Sequence, residues 1–124
     1  MPRAKSVFLD FVRQVVNGDI DEVSRRLAGN PALATAPAGA GATRQDASTF
    51  FFTEIAHYLY AGDTALHMAA RRGNVTVAKA LLECGADPRI GDIAGVTPLQ
   101  RAINCRKAEA AALLSASPGR PGSV

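Results

Sequence analysis

Few residues in this sequence have side chains suited to chemistry. There are two histidines, His57 and His67, and two cysteines, Cys84 and Cys105. Glu54 and His57 stand three apart and would share one face of a helix. Glu-x-x-His is part of a di-iron carboxylate site, but such sites carry two copies and further glutamates. The chain has one copy, so a polar surface role is expected. Cys84 and Cys105 lie in no paired motif, and structural zinc takes four ligands at closer spacings. Two reduced, buried or half-buried thiols are expected instead. Gly39-Ala-Gly41 lacks the third glycine and the preceding strand of a dinucleotide fingerprint. No Gly-x-Ser-x-Gly elbow occurs, and the histidines complete no Ser-His-Asp set. The expectation is therefore no enzyme, no cofactor and no metal. The basic pairs Arg71-Arg72 and Arg106-Lys107 remain. They read as a solvated rim or as a contact patch for an acidic protein. The patch is small and no aromatic platform interleaves it, so nucleic acid is not expected.

The chain that must position these residues has 124 residues, a length that fits one domain. It is 48% apolar and 20% charged, with a net charge of +3. Those values suit a globular core and exclude wholesale disorder. No apolar run approaches the roughly 18 residues of a membrane span. Asp10 and Arg13 interrupt any signal-peptide core. A membrane protein, a secreted mini-protein and a disulfide scaffold are thus not expected, and a cytoplasmic location is. Alanine is abundant at 24 residues and tryptophan is absent, which points to short, closely packed helices.

The elements repeat. Gly62-Asp-Thr-Ala-Leu-His-Met-Ala-Ala lies over Gly95-Val-Thr-Pro-Leu-Gln-Arg-Ala-Ile at an offset of 33. Val75-Thr-Val-Ala-Lys-Ala-Leu-Leu lies over Ala108-Glu-Ala-Ala-Ala-Leu-Leu, with the Leu-Leu pairs 32 apart. The later copy has lost one residue at the turn that holds Gly73. Thr64 is a good N-cap, and Pro98 after Thr97 suits a first helical position. Leu66, Ala69 and Ala70 give one small apolar face. Val75, Ala78, Leu81 and Leu82 give the stripe of a second helix. Gly85 suits a left-handed C-cap.

Residues 62–88, with Thr97-Pro98-Leu99 and Gly85-Ala86-Asp87, closely resemble ankyrin repeats, whose period is about 33 residues. The resemblance implies an all-α solenoid of helix-turn-helix units with short hairpin loops. It implies a structural His67, hydrogen-bonded near the hairpin and the adjacent repeat. Gln100 at the matching place argues against a repeated metal site. The implied function is non-enzymatic recognition of a protein partner through hairpin tips and the first-helix face. The residues at the family's variable surface positions are Tyr60, Ala61, Asp63, Arg71 and Arg72, then Ile93, Ala94, Val96 and Asn104.

A degenerate first copy is expected at the N-terminus, where Gly18-Asp-Ile-Asp-Glu-Val-Ser-Arg-Arg-Leu lies over the segment from Gly73 at an offset of 55. About 22 residues would then be inserted, as repeat arrays tolerate in their loops. One domain is expected over 1–116, with repeats near 5–36, 59–91 and 92–116, an insertion near 34–58 and a disordered tail at 117–124. Within the insertion, 34–47 reads as a flexible linker. Residues 48–60 hold five of the seven aromatic residues and read as a helix capped by Ser48 or Thr49. A short Phe-Phe-Phe strand is the competing reading, and burial of at least two of these rings is expected. The last helix is mostly Ala and Leu. It is a weak cap, or the chain is a fragment, or it self-associates there into a homo-oligomer.

Overall fold

The computed structural model describes residues 4–39, 41–45 and 47–116. The expected disorder of 117–124 lies outside them. Six α-helices occur among the described residues: α1 (Ala4–Asn17), α2 (Ile20–Gly29), α3 (Ala65–Arg72), α4 (Val75–Glu83), α5 (Pro98–Asn104) and α6 (Ala108–Ala116). They form three antiparallel pairs stacked in two layers. α1, α3 and α5 pack side by side, and α2, α4 and α6 pack behind them. No helix is long and apolar enough to cross a membrane.

Each start follows local chemistry. The Asp19, Thr64, Asn74 and Thr97 side chains accept hydrogen bonds from backbone N–H groups three residues on, each such cap being worth about 1 kcal/mol. Pro98 occupies the first helical turn of α5, where its missing N–H costs nothing. The core is continuous through Phe11, Val15 and Val23, then Leu66, Met68, Val77 and Leu81, and ends on Ala102, Ala110 and Leu114. Small residues at 69, 70, 78 and 102 let the layers approach closely. α6 seats Ala110 and Leu114 in the core, with Ala111 and Leu113 partly covered.

The turn between paired helices recurs with different residues. Gly73 ends α3 at φ +83°, and Arg106 takes the same left-handed region at φ +59° after α5. The shortened third turn therefore keeps the backbone conformation that glycine adopts freely, with a side chain that prefers other regions.

Two expectations for the insertion are overturned. Residues 48–60 form no α-helix. A single 3-10 turn at Ser48–Phe50 leads into β1 (Phe51–Phe52), which pairs antiparallel with β2 (His57–Tyr58) in the register Phe51 to Tyr58 and Phe52 to His57. The cause is the spacing of the rings. Phe50 at the end of the 3-10 turn and Phe52 on β1 both turn inward, whereas a helix would fan three consecutive rings about 100° apart. Phe50 and Phe52 are buried, and Phe51 stacks edge-on against Tyr58 at 4.8 Å. A strand forms as in the competing reading, but over Phe51 and Phe52 alone, with Phe50 in the turn before it. α1 anchors it: Arg13 Nη2 donates to the Thr49 carbonyl at 3.0 Å, and its guanidinium lies 5.1 Å from the Phe52 ring centre.

Nor do the described residues around Ala38 and Ala42 form a free linker; residues 40 and 46 of that reading lie outside the described ones. The Ala38 N–H donates to Asp63 O, Gly62 N–H donates to Ala38 O, and Ala42 N–H donates to Leu59 O, all at 2.7–2.8 Å. A Cβ on Gly41 would stand 2.4–2.5 Å from the backbone of Tyr60 and Ala61, so glycine permits this strand-like approach. Backbone hydrogen bonding outweighs the flexible composition.

Candidate functional site

The two hairpin fingers are built alike. In one, Asp63 N–H bonds to Tyr60 O; in the other, Gly95 N–H bonds to Asp92 O. The tips stack, since Ile93 N lies 3.2 Å from where a Cβ on Gly62 would stand. Ile93 is 82% exposed and Tyr60 40% exposed. Ala94 is exposed, and Ala61 and Val96 are half-buried. His57 packs edge-on to Tyr60 at 5.6 Å, and Tyr58 lies 6.0 Å from it.

A buried ion cluster sets the fingers, and sequence reasoning missed it. Arg101 Nη2 reaches Asp63 Oδ1 at 2.9 Å and Asp92 Oδ2 at 2.6 Å. Asp63 Oδ2 accepts from Tyr60 N–H at 3.0 Å. Asp92 Oδ1 accepts from Ala94 N–H and Val96 N–H at 2.8 and 2.9 Å. One guanidinium on α5 thus ties both tips to the helix layer. Asp63, expected at the contact surface, is fully buried. Its carboxylate turns inward, because Arg101 and the turn N–H satisfy it there better than isolated hydration would. The available signal was an aspartate one residue past a turn glycine with an arginine in the next copy, a pattern too common to single out. Asp92 is held below the usual carboxylate range. Burial opposes that shift, but the Val96 and Ala94 N–H groups and then Arg101 outweigh it.

His67 is fully buried. Its Nδ1 accepts from Thr64 N–H at 3.1 Å, while the Thr64 hydroxyl accepts from His67 N–H at 3.3 Å. With Nδ1 an acceptor, Nε2 carries the proton and donates to the Val96 carbonyl at 2.8 Å. The ring therefore cross-links its own helix start to the next finger, the structural role implied by the resemblance. Burial lowers its pKa, despite the raising effect of the Val96 bond, and so favours the neutral ring. Gln100 at the equivalent place is exposed and donates to Asn104 Oδ1 at 3.0 Å.

The basic residues gather at the other end of the inner helices. Arg71, Arg72 and Lys107 line a cleft of about 460 Å³ with Asn104 and Cys105, and the β1–β2 turn at 53–56 forms its opposite wall. Arg71 Nε donates to Ile55 O at 3.3 Å, and its Nη1 reaches Cys105 Sγ at 3.2 Å. Arg72 Nη1 donates to Glu54 O at 3.3 Å. Arg72, Asn104, Arg106 and Lys107 are exposed and Arg71 half-buried. The structure thus separates the expected residues into two groups, the finger tips and this cleft, and removes Asp63 from the surface. Glu54 stands in the hairpin turn and His57 on β2, so they share no helix face. Cys84 and Cys105 are unpaired and half-buried. Among the described residues no three His, Cys, Asp or Glu side chains converge as metal ligands.

Comparison with known proteins agrees with this architecture. A family model described as ankyrin repeats (3 copies) matches residues 10–121. The neurogenic locus notch homolog protein 4 of Homo sapiens is 46% identical over 59 residues, 48% of this chain and 3% of that protein. The regulatory protein SWI6 of Kluyveromyces lactis is 53% identical over 38 residues, 31% of the chain and 5% of that protein. Protein phosphatase 1 regulatory subunit 12A of Mus musculus is 45% identical over 53 residues, 43% of the chain and 5% of that protein. The chain therefore spans only a small part of these relatives. Ankyrin repeats are in general protein–protein interaction modules. The three stacked helix pairs, the fingers between them and the match across residues 10–121 place this chain in the ankyrin-repeat family.

Proposed function

We propose that this chain is a recognition module that binds a protein partner through its finger tips and the ends of its inner helices, without chemistry of its own. The carrying observation is the exposed pair Tyr60 and Ile93 on adjacent fingers, with both fingers held from beneath by Arg101. A tyrosine and a large aliphatic side chain on a fixed backbone contribute contact area at low ordering cost. Ala61, Ala94 and Val96 surround them, and Arg71, Arg72 and Asn104 extend the surface along the helices. A cytoplasmic setting suits the two unpaired thiols.

The test is capture from a lysate of the source cells by immobilised protein. The double variant Tyr60→Ala with Ile93→Asp should lose the captured protein while keeping its helical circular dichroism. Unchanged capture by a folded double variant rejects the finger tips as the contact.

A further inference from the structure

The cleft between the inner helices and the inserted hairpin differs from the finger tips in charge and in construction. Arg71 and Arg72 close α3, and Lys107 follows α5 on the next helix pair. The repeat stack places Lys107 beside them: its Cδ is 2.8 Å from where a Cβ on Gly73 would lie. Among the described residues none of the three forms an ion pair with a carboxylate; the ion pairs there belong to Glu22 and to Arg101. The arginines spend only part of their hydrogen-bonding capacity, on the Ile55 and Glu54 carbonyls and the Cys105 sulfur. An arginine has five N–H donors, so several remain for a ligand. Glu54 is the one acidic residue in the lining, and its side chain stands exposed on the hairpin wall. The lining therefore carries three positive charges against one negative. Its volume lies in the range of sites that seat small ligands.

Two independent pieces of chain make this site. Repeat stacking supplies the cations, and the insertion supplies a wall fixed by hydrogen bonds to those same arginines. A bare rim of basic side chains would be solvated on all sides, and its charges would be worth little to a ligand. A wall on one side lowers the local dielectric and raises the worth of each charge.

We infer that this cleft is a docking site for an acidic peptide segment of the partner, with a glutamate or aspartate carboxylate seated between Arg71, Arg72 and Lys107. The inference rests on the recognition reading above and names the chemistry recognised at one end of that surface. Charge complementarity selects the occupant. Guanidinium forks suit a carboxylate in a two-point contact, and the lysine adds a point charge beside it. The finger tips then supply apolar contact, and the cleft supplies register and electrostatic steering.

Fluorescence anisotropy with a labelled hexaglutamate peptide tests this, with hexaglutamine and hexalysine as references. Hexaglutamate should bind saturably, and the other two should not. Arg72→Gln with Lys107→Gln, both at exposed positions, should weaken hexaglutamate by about tenfold, as the loss of two partly screened charge contacts implies. Arg44→Gln with Arg89→Gln removes the same charge from exposed positions outside the cleft and should leave binding within about twofold. Equal weakening by the two double variants would mean diffuse attraction to a basic protein and would overturn the site. So would hexaglutamate binding no better than hexaglutamine. Tyr60→Ala with Ile93→Asp separates the two readings. If that variant loses the captured partner while hexaglutamate binds nowhere, the cleft proposal falls alone. If hexaglutamate binds in the cleft and capture survives the finger variant, the finger reading falls alone.

Discussion

The second and third helix pairs share one skeleton and solve its polar problems differently. In the second pair His67 is buried and spans two helix pairs through Thr64 and Val96. In the third, Gln100 at the same place is exposed and bonds only within its own helix, to Asn104. The second pair turns on Gly73, the third on Arg106 in the same left-handed region. The difference comes from neighbours. An internal pair is covered on both sides, so a polar side chain there must find partners in the next unit. The last described pair has a neighbour on one side, and water satisfies what protein does not. Buried polar groups are thus the joints between stacked units.

Arg101 is the largest expected break in that comparison. Arg101→Ala leaves the Asp63 and Asp92 carboxylates without their buried cation, a type of change that costs about 3–5 kcal/mol. Urea unfolding should show a midpoint much lower than that of Gln100→Ala, which removes an exposed side chain and should fall within about 0.5 kcal/mol of the parent. Equal midpoints would mean that the ion cluster does not join the fingers to the helices.

His67→Ala comes next. It removes the Nε2 bond to Val96 and opens space in the inner layer, and should cost about 2–4 kcal/mol. Replacing Gln100 by Ala provides the matched control in the third pair. If the two losses are alike, His67 does not act as a joint.

Acidity sharpens the same contrast. Burial lowers the His67 pKa from its ordinary 6.5. Its contribution to stability is therefore full above about pH 6.5. It declines as the pH falls through the folded value, because the unfolded chain takes up a proton that the folded chain resists. His57 is lowered too, first by burial and then by Arg71 and Arg101, and so contributes with the same sign. Asp92 adds a second loss at lower pH, below its ordinary 3.8. Denaturation midpoints from pH 7 to pH 5 should fall most in the parent, and fall less in both His57→Asn and His67→Asn. A parallel decline in the His67 variant would place the acid sensitivity elsewhere.

The smallest effect is expected at the turns. Arg106→Gly relieves a left-handed φ at some cost in unfolded-chain entropy, and should stabilise by about 0.5–1 kcal/mol. Gly73→Ala at φ +83° should destabilise by about 1 kcal/mol. Its Cβ would also crowd Lys107 at 2.8 Å, a contact that flexible side chain can relieve. Thermal midpoints of the two variants should move in opposite directions.

Much of the frame is legible in the chain itself. The period of 33, the threonine caps, Pro98 and the small apolar faces are local patterns that repeat, and local patterns specify helix pairs. The surface was legible only by position in that period. Tyr60, Ile93, Arg72 and Asn104 stand at exposed places, whereas Asp63 does not, because its burial depends on an arginine 38 residues away. The insertion was least legible. It has no repeat to compare against, and its aromatic run suits a helix or a strand until something fixes which rings are buried.

By itself the sequence determined the repeating helices, their caps and turns, and the family they belong to, because each of these follows from neighbours within one repeat. Tertiary structure alone decided that residues 51–58 pair as a hairpin, that Ala38 and Ala42 are hydrogen-bonded beside the Tyr60–Asp63 finger, that Arg101 gathers two aspartates beneath the tips, and that three cations share one walled cleft. Each depends on residues far apart in the chain, where backbone hydrogen bonding, burial and charge are settled only once the units have stacked.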